Sequence, residues 1–185
     1  NWKWQNPLPT GNSFYDVHFV DAQTGWAVGW VGTILKTTNG GSTWSIQNSG
    51  TPYHIYSVQF IDSQTGWAVG DSAILKTNNG GTTWNRQGNG NEGRLTSVYF
   101  INNQTGWAAG SGKIYLTSDG GSTWTMVNTE TAGYFVGIHF TDAQTGWMVD
   151  DLRRTLFRTP NRGNPWSIQT IGSTDNLCDI EFTDS

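Results

Sequence analysis

The chain has little of what stabilises or charges many small proteins. It contains one cysteine, five prolines and 13% charged residues among its 185 residues. A single cysteine cannot form an internal disulfide, so the fold does not depend on one. Because Cys178 stands at the start of an apolar strand pattern, we expect it to be a buried, inert thiol.

Long apolar runs and clusters of basic residues are also scarce. No segment approaches the roughly 20 apolar residues of a membrane-spanning helix, so no membrane span is predicted. Ten basic residues against 14 acidic ones give a net charge of −4. This balance leaves nothing to neutralise a run of phosphates, which argues against nucleic acid as a partner.

Glycine and tryptophan are abundant instead, with 24 and 11 residues. Four copies of Gln-Thr-Gly-Trp end at Trp26, Trp67, Trp107 and Trp147, which lie 41, 40 and 40 residues apart. Such a period is typical of repeat architectures. We predict a repeat protein without helices, in which Gln-Thr-Gly forms the turn into a strand and the Trp packs between repeats.

Each repeat contains four short strand patterns. In the unit 57–87, polar and apolar residues alternate over 57–60, and three further patterns follow at 66–70, 73–77 and 83–87. Four short antiparallel strands in about 40 residues predict one blade of a β-propeller. The predicted fold class is therefore all-β, with full propeller blades at 16–47, 57–88, 97–128 and 137–170.

Partial repeats flank the four predicted blades. Residues 1–15 carry the last strand of a preceding blade, over 1–5, and a loop, while 179–185 restart a first strand. A propeller with open first and last blades exposes sheet edges and apolar faces. We therefore expect part of a propeller of roughly 5 to 8 blades, with self-association through the open ends as the alternative.

A glycine-rich turn precedes the last strand of each repeat. Its short polar side chain can accept backbone N–H groups, and the glycines after it allow positive φ. The fourth copy has lost one glycine, so its turn should be the least regular. These side chains are Asn39, Asn79, Asp119 and Asn161.

This turn resembles the Asp-box, also called the BNR repeat. Together with Gly-Trp-Ala-Val-Gly and Ile-Leu-Lys-Thr, it is similar to the photosystem II stability/assembly-factor-like repeats of many secreted bacterial proteins. The resemblance implies a non-catalytic binding or assembly propeller without a cofactor. It also implies a protein partner or a glycan as ligand, and an extracellular, cell-surface or periplasmic location.

Two other functions are compatible with the same resemblance. Asp-boxes also occur in sialidases and xyloglucan-cleaving glycosidases, so a glycoside hydrolase with part of its site in further blades is one alternative. A structural subunit of a larger extracellular assembly is the other.

Two positions vary among otherwise uniform repeats, and we predict that both lie on one rim. Six places before the Phe that ends each first strand stand Ser13, His54, Arg94 and Tyr134; after each second strand stand Trp30, Asp71, Ser111 and Asp151. The predicted ligand-binding residues are Trp30, His54, Asp71, Arg94, Tyr134 and Asp151. Trp30 is the best candidate for stacking on a sugar ring. If the protein is a hydrolase, Asp71 and Asp151 are the candidate catalytic carboxylates.

The residue before each of these Phe residues is predicted to line the central channel, because the first strand of a blade is usually innermost. Two histidines in this set suggest a metal site, but the members belong to different blades and are not expected to converge on one ion. No metal is therefore predicted. The set comprises His18, Gln59, Tyr99, His139 and Glu181.

Overall fold

A computed structural model describes residues 10–88, 90, 92–127, 133–172 and 175–182. Within these residues the chain forms four sheets, each with four antiparallel strands paired in sequence order. The predicted all-β architecture of four-stranded blades is confirmed. No helix among the described residues is long and apolar enough to cross a membrane.

Each blade takes its four strands from one repeat. Blade 1 has β1 (Phe14–Phe19), β2 (Gly25–Gly29), β3 (Ile34–Thr37) and β4 (Ser45–Gln47); blade 2 has β5 (Ile55–Phe60), β6 (Gly66–Gly70), β7 (Ala73–Thr77) and β8 (Asn85–Gln87). Blade 3 has β9 (Leu95–Phe100), β10 (Gly106–Gly110), β11 (Ile114–Thr117) and β12 (Thr125–Val127); blade 4 has β13 (Phe135–Phe140), β14 (Gly146–Asp150), β15 (Thr155–Thr159) and β16 (Ser167–Gln169).

A carboxylate or amide oxygen organises the turn before each Gln-Thr-Gly. The Oδ1 atom of Asp21 accepts the backbone N–H groups of Gln23 and Thr24 at 2.6 and 2.7 Å. The Gln23 carbonyl oxygen in turn accepts the N–H of Gly40 at 2.8 Å, which ties this turn to the Asp-box. The same Oδ1 bonds are made in the other repeats by Asp62, Asn102 and Asp142.

The Asp-box turn forms as the sequence predicts in three blades. In the first, Asn39 Oδ1 accepts the N–H of Thr43 at 2.9 Å, and Asn39 Nδ2 donates to Thr43 Oγ1 at 2.9 Å. Gly40 and Gly41 have φ values of 65° and 81°, in the left-handed region where glycine is favoured. Asn79 and Asp119 accept the matching backbone N–H at the same distance.

The fourth Asp-box turn is less regular, as expected from its missing glycine. Here Asn161 Nδ2 donates to the carbonyl oxygen of Asn164 at 3.0 Å. Arg162 takes a left-handed φ of 57° at the place that the first glycine of the pair holds elsewhere. The backbone of this turn therefore follows the same course as in the other blades, although a left-handed φ is uncommon for a residue with a Cβ.

The tryptophan of Gln-Thr-Gly-Trp joins each of the first three blades to the next. Trp26, Trp67 and Trp107 have no exposed surface. Their rings stack on Phe60, Phe100 and Phe140 of the following blade at 3.4, 3.6 and 3.5 Å between centroids. Their indole N–H groups donate to the carbonyl oxygens of Gly80, Gly120 and Arg162 in the next Asp-box turn, at 3.2, 3.1 and 3.0 Å. The predicted packing between blades is confirmed.

The same phenylalanine also closes its own blade. Trp84, the Asp-box tryptophan of blade 2, lies edge-on to Phe60 at 5.7 Å and 88°. A Cβ placed on Gly66 would come within 2.5 Å of the Phe60 ring. The glycine of Gln-Thr-Gly-Trp is therefore needed because the phenylalanine ring lies directly over its Cα.

One connection differs from the type unit, and one expectation needs correction. Residues Trp30–Gly32 form a left-handed turn closed by the Thr33 N–H on the Trp30 carbonyl oxygen at 3.0 Å, because four residues join β2 to β3 where two join β6 to β7. Cys178 is exposed, not buried, because residues 175–182 are not paired in a sheet. The strand predicted over 1–5 lies outside the described residues.

Replacing Trp67 with Ala should lower the free energy of unfolding by about 3–5 kcal/mol, because a buried ring and its hydrogen bond are both lost. Trp67→Phe should cost less, since it keeps a ring over Phe100. Denaturant unfolding followed by circular dichroism measures both. The control is Trp30→Ala, which removes a ring that is 45% exposed. A Trp67→Ala cost no larger than that of the control would contradict the interface described here.

Asp119 should make stability depend on acid. Hydrogen bonds from the Thr123 hydroxyl and then its backbone N–H hold the pKa of Asp119 at about 2, below the ordinary 3.8. Because the pKa of Asp119 is lower in the folded state, its carboxylate stabilises the fold at pH values above the ordinary pKa of 3.8. This stabilisation is lost as the pH falls through about 2. Asp119→Asn should leave the midpoint of thermal unfolding unchanged at neutral pH. In acid the variant should lose less stability than the native chain, because it has no carboxylate to protonate at this position.

The reciprocal change is Asn79→Asp, which should place a titrating carboxylate in blade 2 and make the protein lose more stability in acid. Thermal unfolding measured from neutral pH downward compares the three proteins. Identical acid profiles would show that the Asp-box carboxylate contributes nothing to pH-dependent stability.

Candidate functional site

A β-bulge near the start of each first strand turns one side chain out of the regular ladder. In β1, Phe14 pairs with Gly29 and Asp16 with Val28, which leaves Tyr15 without a partner. Bulges commonly re-aim a side chain in this way. The residues at this place in the other blades are Tyr56, Thr96 and Val136, and all four line the central cavity.

The central cavity has a volume of about 760 Å³. It is lined by the four first strands and by residues 178–181, so the first strands are innermost, as expected. The predicted channel residues all reach it: His18, Gln59, Tyr99, His139 and Glu181.

Several of these channel residues bond to the neighbouring blade. His18 Nε2 donates to the Phe60 carbonyl oxygen at 2.9 Å, and Gln59 Nε2 donates to the Phe100 carbonyl oxygen at 3.1 Å. Burial lowers the pKa of His18, although the Phe60 carbonyl and Asp16 oppose the shift. These side chains therefore hold blades together. Among the described residues, no three His, Cys, Asp or Glu side chains form a group that could bind a metal ion.

One wall of the cavity is acidic. Asp16 Oδ2 accepts the N–H of Val58 from the next blade at 2.9 Å. Burial, and then the charges of Asp16 and Glu181, raise the pKa of Asp179. A ligand that enters the cavity therefore meets hydrogen-bond acceptors on this side.

The two variable positions of each repeat are joined by a backbone hydrogen bond on one rim of the cavity. The N–H of Trp30 donates to the Ser13 carbonyl oxygen at 2.9 Å. A side chain on the preceding Gly29 is excluded, since its Cβ would lie 2.0 Å from that oxygen. The other blades repeat the bond between Asp71 and His54, Ser111 and Arg94, and Asp151 and Tyr134, at 3.0, 2.9 and 3.1 Å.

Aromatic rings cover the rim at blades 1 and 2. Trp30 stacks on His54 with centroids 5.5 Å apart and planes 22° apart. The Trp30 indole N–H donates to the Tyr15 hydroxyl. Tyr15 and Tyr56 lie 4.9 Å apart. The four side chains form one continuous, partly exposed aromatic surface.

Trp30 stands on a strained turn. The next residue, Val31, has a φ of 51°, which is a genuine outlier for a β-branched residue. Its N–H donates to His54 Nδ1 at 3.1 Å. Strain of this kind persists where surrounding contacts fix it, and it often marks functional sites.

Arg94 continues the aromatic surface toward blade 4. Its guanidinium lies 4.3 Å from the Tyr56 ring centroid and 5.9 Å from that of Tyr134, and it forms an ion pair with Asp71 at 3.6 Å. The Tyr56 hydroxyl donates to Asp71 at 3.1 Å. Burial and then the Asp71 charge raise the pKa of Tyr56 to about 12, although Arg94 opposes the shift.

We call these side chains the mouth cluster: Tyr15, Trp30, His54, Tyr56, Asp71, Arg94 and Tyr134. Five of its members are predicted rim residues, and the structure brings them together. Asp151 joins the rim through its backbone bond to Tyr134. Sequence reasoning missed Tyr15 and Tyr56, although aligning the residue four places before each first-strand Phe shows two tyrosines there.

Comparison with protein families decides what kind of propeller this is. The family model described as photosynthesis system II assembly factor YCF48 matches residues 1–54 and 49–177. The chain belongs to the YCF48 family. The resemblance noted from the Asp-box and the flanking motifs is thereby confirmed. A search of curated proteins finds no match to the chain.

Solved structures of the YCF48 family have the same fold. YCF48 bound to D1 peptide has a TM-score of 0.75 and 24% identity, over 93% of this chain and 58% of that one. YCF48 from Cyanidioschyzon merolae has a TM-score of 0.75 and 20% identity, over 97% of this chain and 62% of that one. The chain thus spans less than two thirds of the length of these relatives.

A glycosidase also shares the fold. An ancestral GH74 enzyme has a TM-score of 0.72 and 19% identity, over 93% of this chain and 26% of that one. At this identity the likeness concerns the fold and carries no activity with it.

The environment of Tyr56 predicts an unusual titration. Subtracting the alkaline absorbance titration of Tyr56→Phe from that of the native chain should give a curve with its midpoint at about 12 rather than 10.0. Asp71→Asn should lower this midpoint, because it removes a charge that disfavours the phenolate. Asp62→Asn, in a distant turn, is the matched control and should leave it unchanged. A midpoint at or below 10.0 in the native chain would contradict the arrangement.

Proposed function

We propose that this chain is a non-catalytic binding propeller that holds an extended protein segment across the mouth of its central cavity. The observation that carries the proposal is the mouth cluster, in which blades 1 and 2 and the residues just before blades 3 and 4 contribute to one surface. Scaffold contacts do not require these residue types, because the corresponding places in other repeats hold serine, threonine and valine.

The composition of the mouth cluster suits a protein ligand. Tyrosine, tryptophan and arginine dominate the energetically important positions of protein interfaces. Here the side chains are held by one another: Trp30 by His54, and Arg94 by Tyr56 and Asp71. A surface that is already ordered loses little conformational entropy on binding.

A protein segment is favoured over a glycan because one solved structure of the same family is YCF48 bound to D1 peptide. The acidic wall below the mouth adds acceptors for the N–H groups of an inserted segment. Sugar stacking on Trp30 uses the same surface, so a glycan ligand is an outcome that the experiment below distinguishes.

The glycoside hydrolase alternative has less support. The Asp71 carboxylate is engaged by both Arg94 and the Tyr56 hydroxyl, which suits a fixed structural charge better than a nucleophile or an acid. An extracellular, cell-surface or periplasmic location is part of the proposal, and it rests on the composition and on the resemblance. The structural-subunit alternative concerns contacts between chains at the first and last blades. It is therefore compatible with ligand binding at the mouth cluster.

The proposal is tested by screening the full chain against an array of synthetic extended peptides and, separately, a glycan array. Peptides that bind are then titrated by calorimetry against variants. Trp30→Ala and Arg94→Ala should each weaken binding by roughly 2 kcal/mol, or about 30-fold, as removal of a hot-spot side chain does. Ile168→Ala is the matched control, because this apolar residue is 64% exposed on the outer strand of blade 4.

Three results would overturn the proposal. Peptide binding that survives both variants would place the site elsewhere. Binding to glycans alone would replace the protein ligand by a sugar. Hydrolysis of a xyloglucan or sialoside that is lost in Asp71→Asn would make the protein an enzyme.

A further inference from the structure

The main-chain N–H groups around the mouth cluster are already bonded within the fold. The Trp30 N–H donates to a carbonyl oxygen of the loop before β1, and the Val31 N–H donates to His54 Nδ1. In blade 2, the Ser72 N–H donates to the Gly93 carbonyl oxygen at 2.8 Å. A ligand that adds to a sheet as a further strand needs free N–H and C=O groups on the edge that it joins. This part of the rim does not offer such an edge.

The inner edges of the blades are occupied in a similar way. The side chains of Asp16, Gln59 and Ser97 each accept a backbone N–H from the first strand of the next blade. These bonds interrupt the row of N–H groups that an inserted strand would pair with. A segment at the mouth cluster is therefore held mainly by side chains.

Aromatic faces are what the mouth cluster leaves open. Trp30 and Tyr15 are 45% and 46% exposed. The rings of Tyr15, His54 and Tyr56 lie between 4.9 and 6.4 Å from one another, and Trp30 stacks on His54. Aromatic surfaces of this kind bind proline-rich segments in several unrelated domains.

The exposure of the rim is not confined to blade 1. Asp71 and Arg94 have a described blade on either side of them, and their side chains are 35% and 43% exposed. The rim is therefore open also where both neighbouring blades are in place.

Hydrogen-bond donors accompany the exposed rings. The Tyr15 hydroxyl accepts the Trp30 indole N–H, and its own hydrogen has no acceptor among the described residues. Because His54 Nδ1 accepts the Val31 N–H, the neutral imidazole carries its hydrogen on Nε2. The rim can thus donate to carbonyl oxygens of a ligand.

The acceptor within the mouth cluster is already engaged. The Asp71 carboxylate pairs with Arg94 and accepts the Tyr56 hydroxyl. A ligand that matches this surface offers carbonyl oxygens and apolar rings but few N–H groups. Proline has these properties, because it has no N–H.

We infer that the segment bound at the mouth cluster is rich in proline and lies on Trp30, Tyr15 and Tyr56 as a polyproline II helix. The inference rests on the proposed function and specifies its ligand. Such a helix has no internal hydrogen bonds, so its carbonyl oxygens are free to accept from the rim. It is extended before it binds and therefore loses little conformational entropy. Residues that flank the proline stretch keep their N–H groups and suit the acidic wall below the mouth.

Two matched peptide libraries test this inference with the full chain. The first library carries proline at every third position, which places the prolines on one side of a polyproline II helix. The second library replaces each proline with alanine at the same length and net charge. Peptides of the first library should bind at least roughly 10-fold more tightly than their alanine partners, as measured by calorimetry.

Two variants test whether the proline-rich peptides lie on these rings. Trp30→Ala removes the most exposed indole of the cluster and should weaken binding about 30-fold. Tyr15→Phe keeps the ring but removes the hydroxyl donor, and it should weaken binding about 5-fold. Tyr115→Phe is the matched control, because it removes a hydroxyl from the third strand of blade 3 and should leave binding unchanged. Thermal unfolding of each variant checks that it remains folded.

The inference is overturned if the alanine partners bind as tightly as the proline peptides, or if the proline peptides bind both mouth variants as tightly as the native chain. Peptides without proline that bind the native chain better than the proline peptides, and lose binding in Trp30→Ala, would overturn this inference and leave the proposed function standing. Failure of both libraries to bind would overturn the two together.

Discussion

One indole ring per blade holds this propeller together. In blades 1 to 3, the tryptophan that follows Gln-Thr-Gly stacks on a phenylalanine of the next blade and donates its N–H to a carbonyl oxygen of that blade's Asp-box turn. A single side chain thus contacts two elements of the neighbouring repeat that lie far apart in the sequence, its first strand and its Asp-box turn. The spacing between strands and box is constrained because both contacts must be reached from one ring.

The Asp-box serves the same interface. Its left-handed glycines leave the first glycine carbonyl pointing toward the preceding blade, where the indole N–H meets it. Ring stacking alone would allow the blades to slide, since aromatic contacts tolerate offsets. The hydrogen bond fixes one position along the stack, so turn geometry and blade packing depend on each other.

Much of the scaffold could be predicted from the sequence because it repeats. The Trp67 packing, the Asn79 turn and the order of β5 to β8 each follow from local residue types and a fixed period. The exposed Cys178 could not be predicted in the same way, since burial of an apolar pattern depends on whether a neighbouring sheet is present. The left-handed turn at Trp30 depends on a loop length that the alternation pattern does not specify.

The position of the candidate site on the rim was predicted in part for a related reason. Variation at Trp30, His54 and Arg94 stood out against uniform repeats, and their places on the rim followed from the topology. That Tyr15 and Tyr56 point into the same region depends on a β-bulge, which shifts the register of the strand by one residue. Alternation of apolar and polar residues does not reveal such a shift.

The rim hydrogen bonds use main-chain atoms alone, as between Trp30 and Ser13. The backbone bonds at these positions therefore do not depend on which side chain is present. The same main-chain bond recurs in the four blades, so each blade holds a different chemical group at an equivalent place on the rim. Recognition can then change through substitutions at these places while the main-chain bonds of the rim remain.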